Sequence, residues 1–373
     1  IYYQALARFD KIGPVRLRTL LKTFPSIEYA WKAEKPELIR AGLDAQVAAE
    51  FAAWRKDQNL EAQWEELARE GIQVITWDDI VPSPPPSPQR GEGVLKKSPP
   101  PQGKEVIMGS HLPAGEGQGN YPALLKEIHD PPHTLFVRTA HRIVPSPQPS
   151  PQRGEGVFKK SPLPQGEGQG EGLFTNTFTL AVVGTRMATT YGRQIVEQIV
   201  RPLARAGLTI VSGLALGIDA LAHTATLNEG GTTVAVLGGG CDRASIYPTS
   251  NRALAERIVE SGGALISEYP PKTLAMPFHF PHRNRIIAGM SRGTLVVEAA
   301  EDSGSLITAR HALEQNREVF TVPGDITRDT SKGPNNLLKM GAHPVFSAED
   351  ILEALNLQEL KATVEARKIL PDN

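Results

Sequence analysis

"FTLAVVGTRMATTYGRQIVEQIVRPLARAGLTIVSG", residues 178–213, reads as an apolar strand, a glycine turn, an amphipathic helix and a second apolar strand. The run TLAVV shows no polar alternation, so both of its faces must be covered. The stretch "YGRQIVEQIVRPLARAG" repeats its apolar residues at spacings of three and four, which marks a helix. A strand, a helix and a strand in this order form a parallel pair with a crossover helix. The alternation continues downstream. "TVAVLGGG", "GALISE", "GTLVVEAA" and "REVFTVPG" are further β-rich runs, separated by "DALAHTATLNEG", "NRALAERIVESG" and "LITARHALEQN" as helices. The fold class expected is α/β, with a mostly parallel sheet covered by helices on both faces. Ligands of such sheets sit at the carboxyl ends of the strands.

Upstream, "YYQALARFDKIGPVRLRTLLKTF" carries helical spacing around a Gly13-Pro14 turn, and "LEAQWEELAREG" ends in a glycine suited to a helix terminus. A basic second helix with Arg16, Arg18 and Lys22 invites comparison with helix-hairpin-helix modules that touch DNA backbone. A plain helical packing module is the preferred reading of the pattern.

Residues 80–103, "IVPSPPPSPQRGEGVLKKSPPPQG", and 143–166, "IVPSPQPSPQRGEGVFKKSPLPQG", differ only at Pro85/Gln148, Leu95/Phe158 and Pro100/Leu163. Prolines at every second or third position prevent such a segment from packing as a structural repeat. Its composition favours extended or disordered chain, inserted into surface loops where added length costs little closure entropy. The expected organisation is an N-terminal helical domain (1–79), a first disordered insertion (80–119), a segment leading into the sheet (120–143), a second insertion (144–174), the sheet domain (175–356) and a tail (357–373).

Composition narrows the function classes. The 373 residues are 40% hydrophobic with a formal net charge of −1, so bulk charge does not draw the chain to nucleic acid or to an anionic membrane. Any anion must be held by a local patch. No run of eighteen apolar residues is present and the first residues lack a secretory layout, so a cytoplasmic protein with no membrane role is expected. One cysteine, Cys241, excludes an intrachain disulfide and a cysteine-based zinc site. No G-x-G-x-x-G follows a strand and no G-x-x-x-x-G-K-[ST] is present, which removes the sequence support for a dinucleotide or ATP cofactor. No cofactor, metal or catalytic residue is assigned.

The loops after the strands offer three candidate anion contacts. Gly184, Thr185 and Arg186 follow the first strand, where the arginine supplies a guanidinium fork. Ser212, Gly213 and Gly217 follow the second and open a helix, whose free amides and dipole favour an anion. Gly304, Ser305 and Thr308 stand at another helix start, beside Ser303. The remaining concentration of donors is "HFPHRNRII", residues 279–287, with Pro281 suited to a first helical turn. On a helix Arg283 and Arg285 stand about 200° apart. One is expected to reach the cleft and the other to pair with a carboxylate or cap a carbonyl, with Glu268 and Glu298 as candidate partners on strand ends read as neighbouring. Asn284 joins the donors, and Phe278 or Phe280 either packs into the core beside the helix or, where the ligand carries a base, stacks it.

The blocks "AVVGTRMATTYG", "IVSGLALGIDALAH", "TVAVLGGGCDRASIYPTSN", "ISEYPP", "FPHRNRIIAGMSRGTLVVEAAEDSGSLITARHALEQNREVFTVPGDI" and "SKGPNNLLKMGA", in this order, resemble the DNA processing protein A family, DprA/Smf. The resemblance extends upstream to "YPALLKEIHDPPHTLFVR". It implies an extended Rossmann-like domain behind a small helical domain of the SAM or helix-hairpin-helix type. It implies a homodimer without catalytic activity that binds and protects single-stranded DNA and helps load the RecA recombinase in natural transformation. The loop at Gly184–Arg186, the "SGLALGID" loop and the "FPHRNRII" segment match the family's binding segments. Three departures stand out: Thr185 replaces the usual serine, Leu216 stands where a basic residue is common, and no winged-helix-like domain follows "SAEDILEAL". The rival is a nucleotide or nucleoside-phosphate hydrolase on a similar sheet, with Glu268, Glu298 or Asp219 as acid-base groups. "EDSGSLITA" lacks the paired glycines of the P-G-G-x-G-T-x-x-E signature that such enzymes carry there. A third reading is an interaction scaffold in which DNA contact is incidental.

Overall fold

The computed structural model describes residues 1–76, 121–140 and 178–357, together with Leu360. Nine strands among these residues form one sheet: β1 (Ile72–Thr76), β2 (Thr134–Thr139), β3 (Thr179–Val183), β4 (Thr209–Ser212), β5 (Thr233–Leu237), β6 (Ala264–Ser267), β7 (Gly293–Val296), β8 (Glu318–Thr321) and β9 (His343–Pro344). Their spatial order is β1-β2-β6-β5-β4-β3-β7-β8-β9. Strands β3 to β9 pair in parallel, while β1 with β2 and β2 with β6 are antiparallel.

The chain enters the centre at β3, steps outward through β4, β5 and β6, and returns to the other side of β3 with β7. Loops leaving β3 and its two neighbours therefore diverge, and the strand order reverses between β3 and β7. This is a topological switch point, where an open α/β sheet has a crevice outside its strand ends.

The apolar runs build two cores. Ala181 and Val183 point with Val211, Val234 and Val296 into one layer, closed by Ile286 and Ile287 of the His279–Gly289 helix and Ala309 of the Ser305–Glu314 helix. Leu180 and Val182 point the other way, against Ile199, Leu203, Ile218 and Ile351. The strict alternation of partners along β3 is the pleat itself. It makes a half-polar strand impossible at this position.

The N-terminal helices pack around Leu6, Leu20, Trp31, Leu38 and Phe51. The following helix, Leu60–Arg69, leads directly into β1, and Leu67 and Ile72 join a core with Phe136, Ile258 and Leu265. Residues 72–76 thus belong to the sheet, not to the helical unit in which the sequence placed them. The segment 120–143 supplies β2, the bridge between β1 and β6, where only a lead-in was expected. A second correction concerns Glu268 and Glu298: they follow β6 and β7, which β5, β4 and β3 separate. The two repeats, in the stretches 80–119 and 144–174, lie outside the described residues, as does the tail apart from Leu357 and Leu360. Among the described residues no helix is long and apolar enough to cross a membrane.

Candidate functional site

A cleft of about 510 Å³ opens over the carboxyl ends of β4, β3 and β7, at the switch point. Its floor is set by three strand-end segments in close contact. The Thr185 amide donates to the Glu298 carbonyl (2.7 Å), and the Thr185 carbonyl accepts from the Ile218 amide (3.1 Å). Only glycine permits this approach. A Cβ at Gly184 would lie 2.6 Å from Ile218 Cγ1, and one at Gly217, whose φ is +76°, would lie 2.2 Å from the Thr185 carbonyl oxygen. Gly217 also holds a backbone conformation costly for any other residue.

Glu298 ties the same region together from below. Its carboxylate, 2% exposed, accepts from the Thr189 amide (3.0 Å), the Thr189 hydroxyl (2.6 Å) and the Thr330 hydroxyl (3.2 Å). It therefore fixes the end of β7 against two neighbouring helix starts and pairs with neither arginine of the HRNR segment.

Those arginines go to opposite sides. Arg285 Nη2 donates to both oxygens of Glu268 (2.8 and 2.7 Å), and its Nε lies 3.5 Å from Asp130. It does not line the cleft. Arg283 does, although only 4% of it is exposed. Its Nη1 donates to the carbonyls of Gly213 (2.9 Å) and Val236, joining the ends of β4 and β5. Gly213 leaves the room this requires, since a Cβ there would lie 2.7 Å from both Arg283 Nη2 and Asp219 Oδ2. Asp219 accepts from the amides of Gly213 (3.0 Å) and Ala215 (3.4 Å). Burial pushes the Arg283 guanidinium down to about 10, opposed by the Asp219 charge, and raises the Asp219 carboxyl, opposed by Arg283. Arg283 remains a cation at neutral pH.

The mouth is different in character. Arg186 is exposed and has no carboxylate partner among the described residues; its guanidinium carbon lies 5.7 Å from the centre of the Phe280 ring. Tyr247, from the loop after β5, meets the same ring at 5.9 Å and 40°. On the opposite wall the Ser303 and Ser305 hydroxyls are 2.8 Å apart, Asn284 Nδ2 donates to the Gly304 carbonyl (3.2 Å), and Thr308 completes the lining. The cleft therefore combines one free cation, one buried cation, ring surface and hydroxyl or amide groups. That set suits a sugar-phosphate with an attached base.

Of the residues singled out from sequence, Gly184, Thr185, Arg186, Phe280, Arg283, Asn284, Gly304, Ser305 and Thr308 line the cleft. Ser212, Gly213, Gly217 and Arg285 do not. The Ser212 hydroxyl is buried and donates to the Val182 carbonyl (2.6 Å), and the two glycines serve loop packing. Tyr247 and Ala215 are lining residues that sequence reasoning did not single out. The three acids a hydrolase would need are occupied: Glu268 by Arg285, Glu298 by threonines, Asp219 by amides. Among the described residues no group of three histidine, cysteine or acidic side chains is arranged to hold a metal.

A family model described as DNA recombination-mediator protein A matches residues 168–356. The DNA processing protein DprA of Bacillus subtilis (strain 168) is 40% identical over 243 residues, covering 65% of this chain and 71% of the relative. The crystal structure of DNA processing protein A from Streptococcus pneumoniae superposes with a TM-score of 0.63 at 27% identity, over 95% of this chain and 96% of that one. DNA processing protein A from Helicobacter pylori, described for its single-stranded DNA binding mode, matches with a TM-score of 0.51 at 26% identity, over 64% of this chain and 93% of that one.

Proposed function

The chain belongs to the DNA recombination-mediator protein A family, the DprA/Smf proteins, and we propose that its switch-point cleft binds the backbone of single-stranded DNA. The observation that carries this reading is Arg186: an exposed guanidinium without a carboxylate partner among the described residues, seated on Phe280 at the mouth of the cleft. Phosphate is the ligand for which such a fork is suited. Asn284, Gly304, Ser305 and Thr308 supply neutral donors and acceptors along the opposite wall, and Gly184 and Thr185 supply backbone. The likeness to a Helicobacter pylori protein described as binding single-stranded DNA supports the choice of ligand.

Arg283 acts in this reading as a fixed positive charge under the cleft more than as a flexible contact, because Nη1 is committed to two carbonyls. Arg285, Ser212, Gly213 and Gly217 act by shaping the cleft. The family description as a recombination mediator supports delivery of the bound strand to a RecA-type recombinase; action as a homodimer, in the cytoplasm and without catalysis, is part of the same proposal. A mobility-shift titration with single- and double-stranded oligonucleotides of one sequence tests the reading. Tighter binding of the single strand is expected. Equal binding of both, or none, contradicts it.

A further inference from the structure

Arg186 can serve a phosphate only if the loop that carries it keeps its place. That loop, residues 184–189, joins the end of β3 to the Thr190–Ile195 helix, and its crest faces solvent: Arg186 is exposed and Met187 is 83% exposed. The Met187 amide donates to the Thr185 hydroxyl (3.2 Å). Such a local turn sets the shape of the crest but not its position on the protein.

Both feet of the loop stand on one residue. At the first, the Thr185 amide donates to the Glu298 carbonyl (2.7 Å). At the second, the Thr189 amide donates to Glu298 Oε2 (3.0 Å) and the Thr189 hydroxyl to Oε1 (2.6 Å). The backbone leaves room for this grip on either side. A Cβ at Gly184 would lie 3.0 Å from the Glu298 carbonyl oxygen, and one at Gly192, in the first turn of the helix, 2.1 Å from Glu298 Oε2. Thr189 Oγ1 also accepts from the Gly192 amide (3.3 Å), so one hydroxyl caps the helix and donates to the carboxylate. Burying a carboxylate is costly unless hydrogen bonds satisfy it. Here Thr189 supplies two of these bonds and Thr330, at the start of the Asp329–Lys339 helix, a third.

Resting on the reading of Arg186 as a phosphate contact, we propose that Glu298 is the positioning residue for Arg186, with Thr189 as its partner in that role. Glu298 is not among the residues that line the cleft and touches no ligand. It acts through the loop, holding both ends so that the guanidinium stays over Phe280 at the cleft mouth. A loop fixed in this way is ordered before the strand arrives, so binding does not bear the entropy of ordering it.

The test is a double-mutant cycle on the full chain, read as the Kd for an oligo-dT strand, with thermal unfolding followed for each variant. Thr189→Val removes the hydroxyl bond at nearly constant shape, Thr189→Ser keeps it, and Glu298→Ala removes the carboxylate. Thr189→Val and Glu298→Ala are expected to weaken binding roughly 5- to 50-fold where Arg186 is present, and by less than about 2-fold in an Arg186→Ala background, the non-additivity of residues that act through one another. Thr189→Ser should bind as the wild type does. So should Thr330→Val, which loses a bond to the same carboxylate but lies outside the loop. Should Glu298→Ala fail to fold, the Thr189 variants carry the cycle alone. Wild-type affinity in Thr189→Val, equal weakening with and without Arg186, or equal weakening by Thr330→Val and Thr189→Val would overturn the positioning role while leaving the phosphate cleft standing. If Arg186→Ala alone binds as tightly as the wild type, the phosphate reading falls and the positioning role falls with it.

Discussion

Several arginines outside the cleft are held by carboxylates, whereas neither of the two that line it forms an ion pair among the described residues. Away from the cleft, Arg201 and Arg205 share Glu229, Arg138 faces Glu256 and Arg285 clasps Glu268. At the cleft, Arg186 has a ring beneath it and Arg283 has two carbonyls. A chain of net charge −1 can still present a locally positive site, where an exposed guanidinium without a carboxylate partner among the described residues stands beside the strand ends. Net charge is a poor guide to such a protein, because a groove needs only a few donors in place.

Arg285 is the position where removing a paired arginine should do the most damage. With its side chain 7% exposed against a Glu268 that is 13% exposed, Arg285→Ala leaves a largely buried carboxylate with only His282, at 3.5 Å, beside it. A loss of about 3–5 kcal/mol is expected in urea unfolding. Loss of affinity without loss of stability would place Arg285 in the binding site instead. Gly217→Ala comes next, since the added Cβ meets the Thr185 carbonyl and the backbone is left-handed. It is expected to cost at least about 1 kcal/mol and to displace the Arg186 loop, so stability and binding fall together.

A smaller effect belongs to Glu229, whose carboxyl Arg205 and Arg201 hold down to about 2 from an ordinary value of 4.5. A carboxyl depressed in the folded state adds stability above its unfolded pKa and loses it as pH falls through the folded value. The contribution should therefore fade between about pH 4.5 and 2, and Glu229→Gln should flatten that part of the stability curve. Arg201→Ala should change least. Its side chain is 45% exposed, and Arg205 still serves the same carboxylate. A change within about 0.5 kcal/mol and no change in strand affinity are expected.

The central fold was legible because β3, β4 and β5 are continuous apolar runs that admit no face in water. β1 was not. Its two buried residues, Ile72 and Ile75, stand three apart, a spacing that reads as helix, and only pairing with β2 makes it a strand. The candidate site was legible in its chemistry and less so in its division of labour. Glycine in a loop looks the same in sequence whether it admits a ligand or a neighbouring loop, and at Gly213 and Gly217 it admits the protein itself. Helical geometry separated Arg283 from Arg285 but did not say which faced the cleft. Tyr247 lies in no periodic element, so nothing but the folded loop after β5 brings it beside Phe280.

The proposed phosphate binding at the cleft rests chiefly on Arg186. The affinity of an oligo-dT strand for the wild type and for Arg186→Ala, measured across a salt series, tests it. Log K should fall linearly with log salt in the wild type, and the variant should bind more weakly with a slope shallower by about 0.7 for each phosphate that Arg186 neutralises. A flat line for the wild type, or the same line for both proteins, would contradict the claim that the switch-point cleft holds a phosphate.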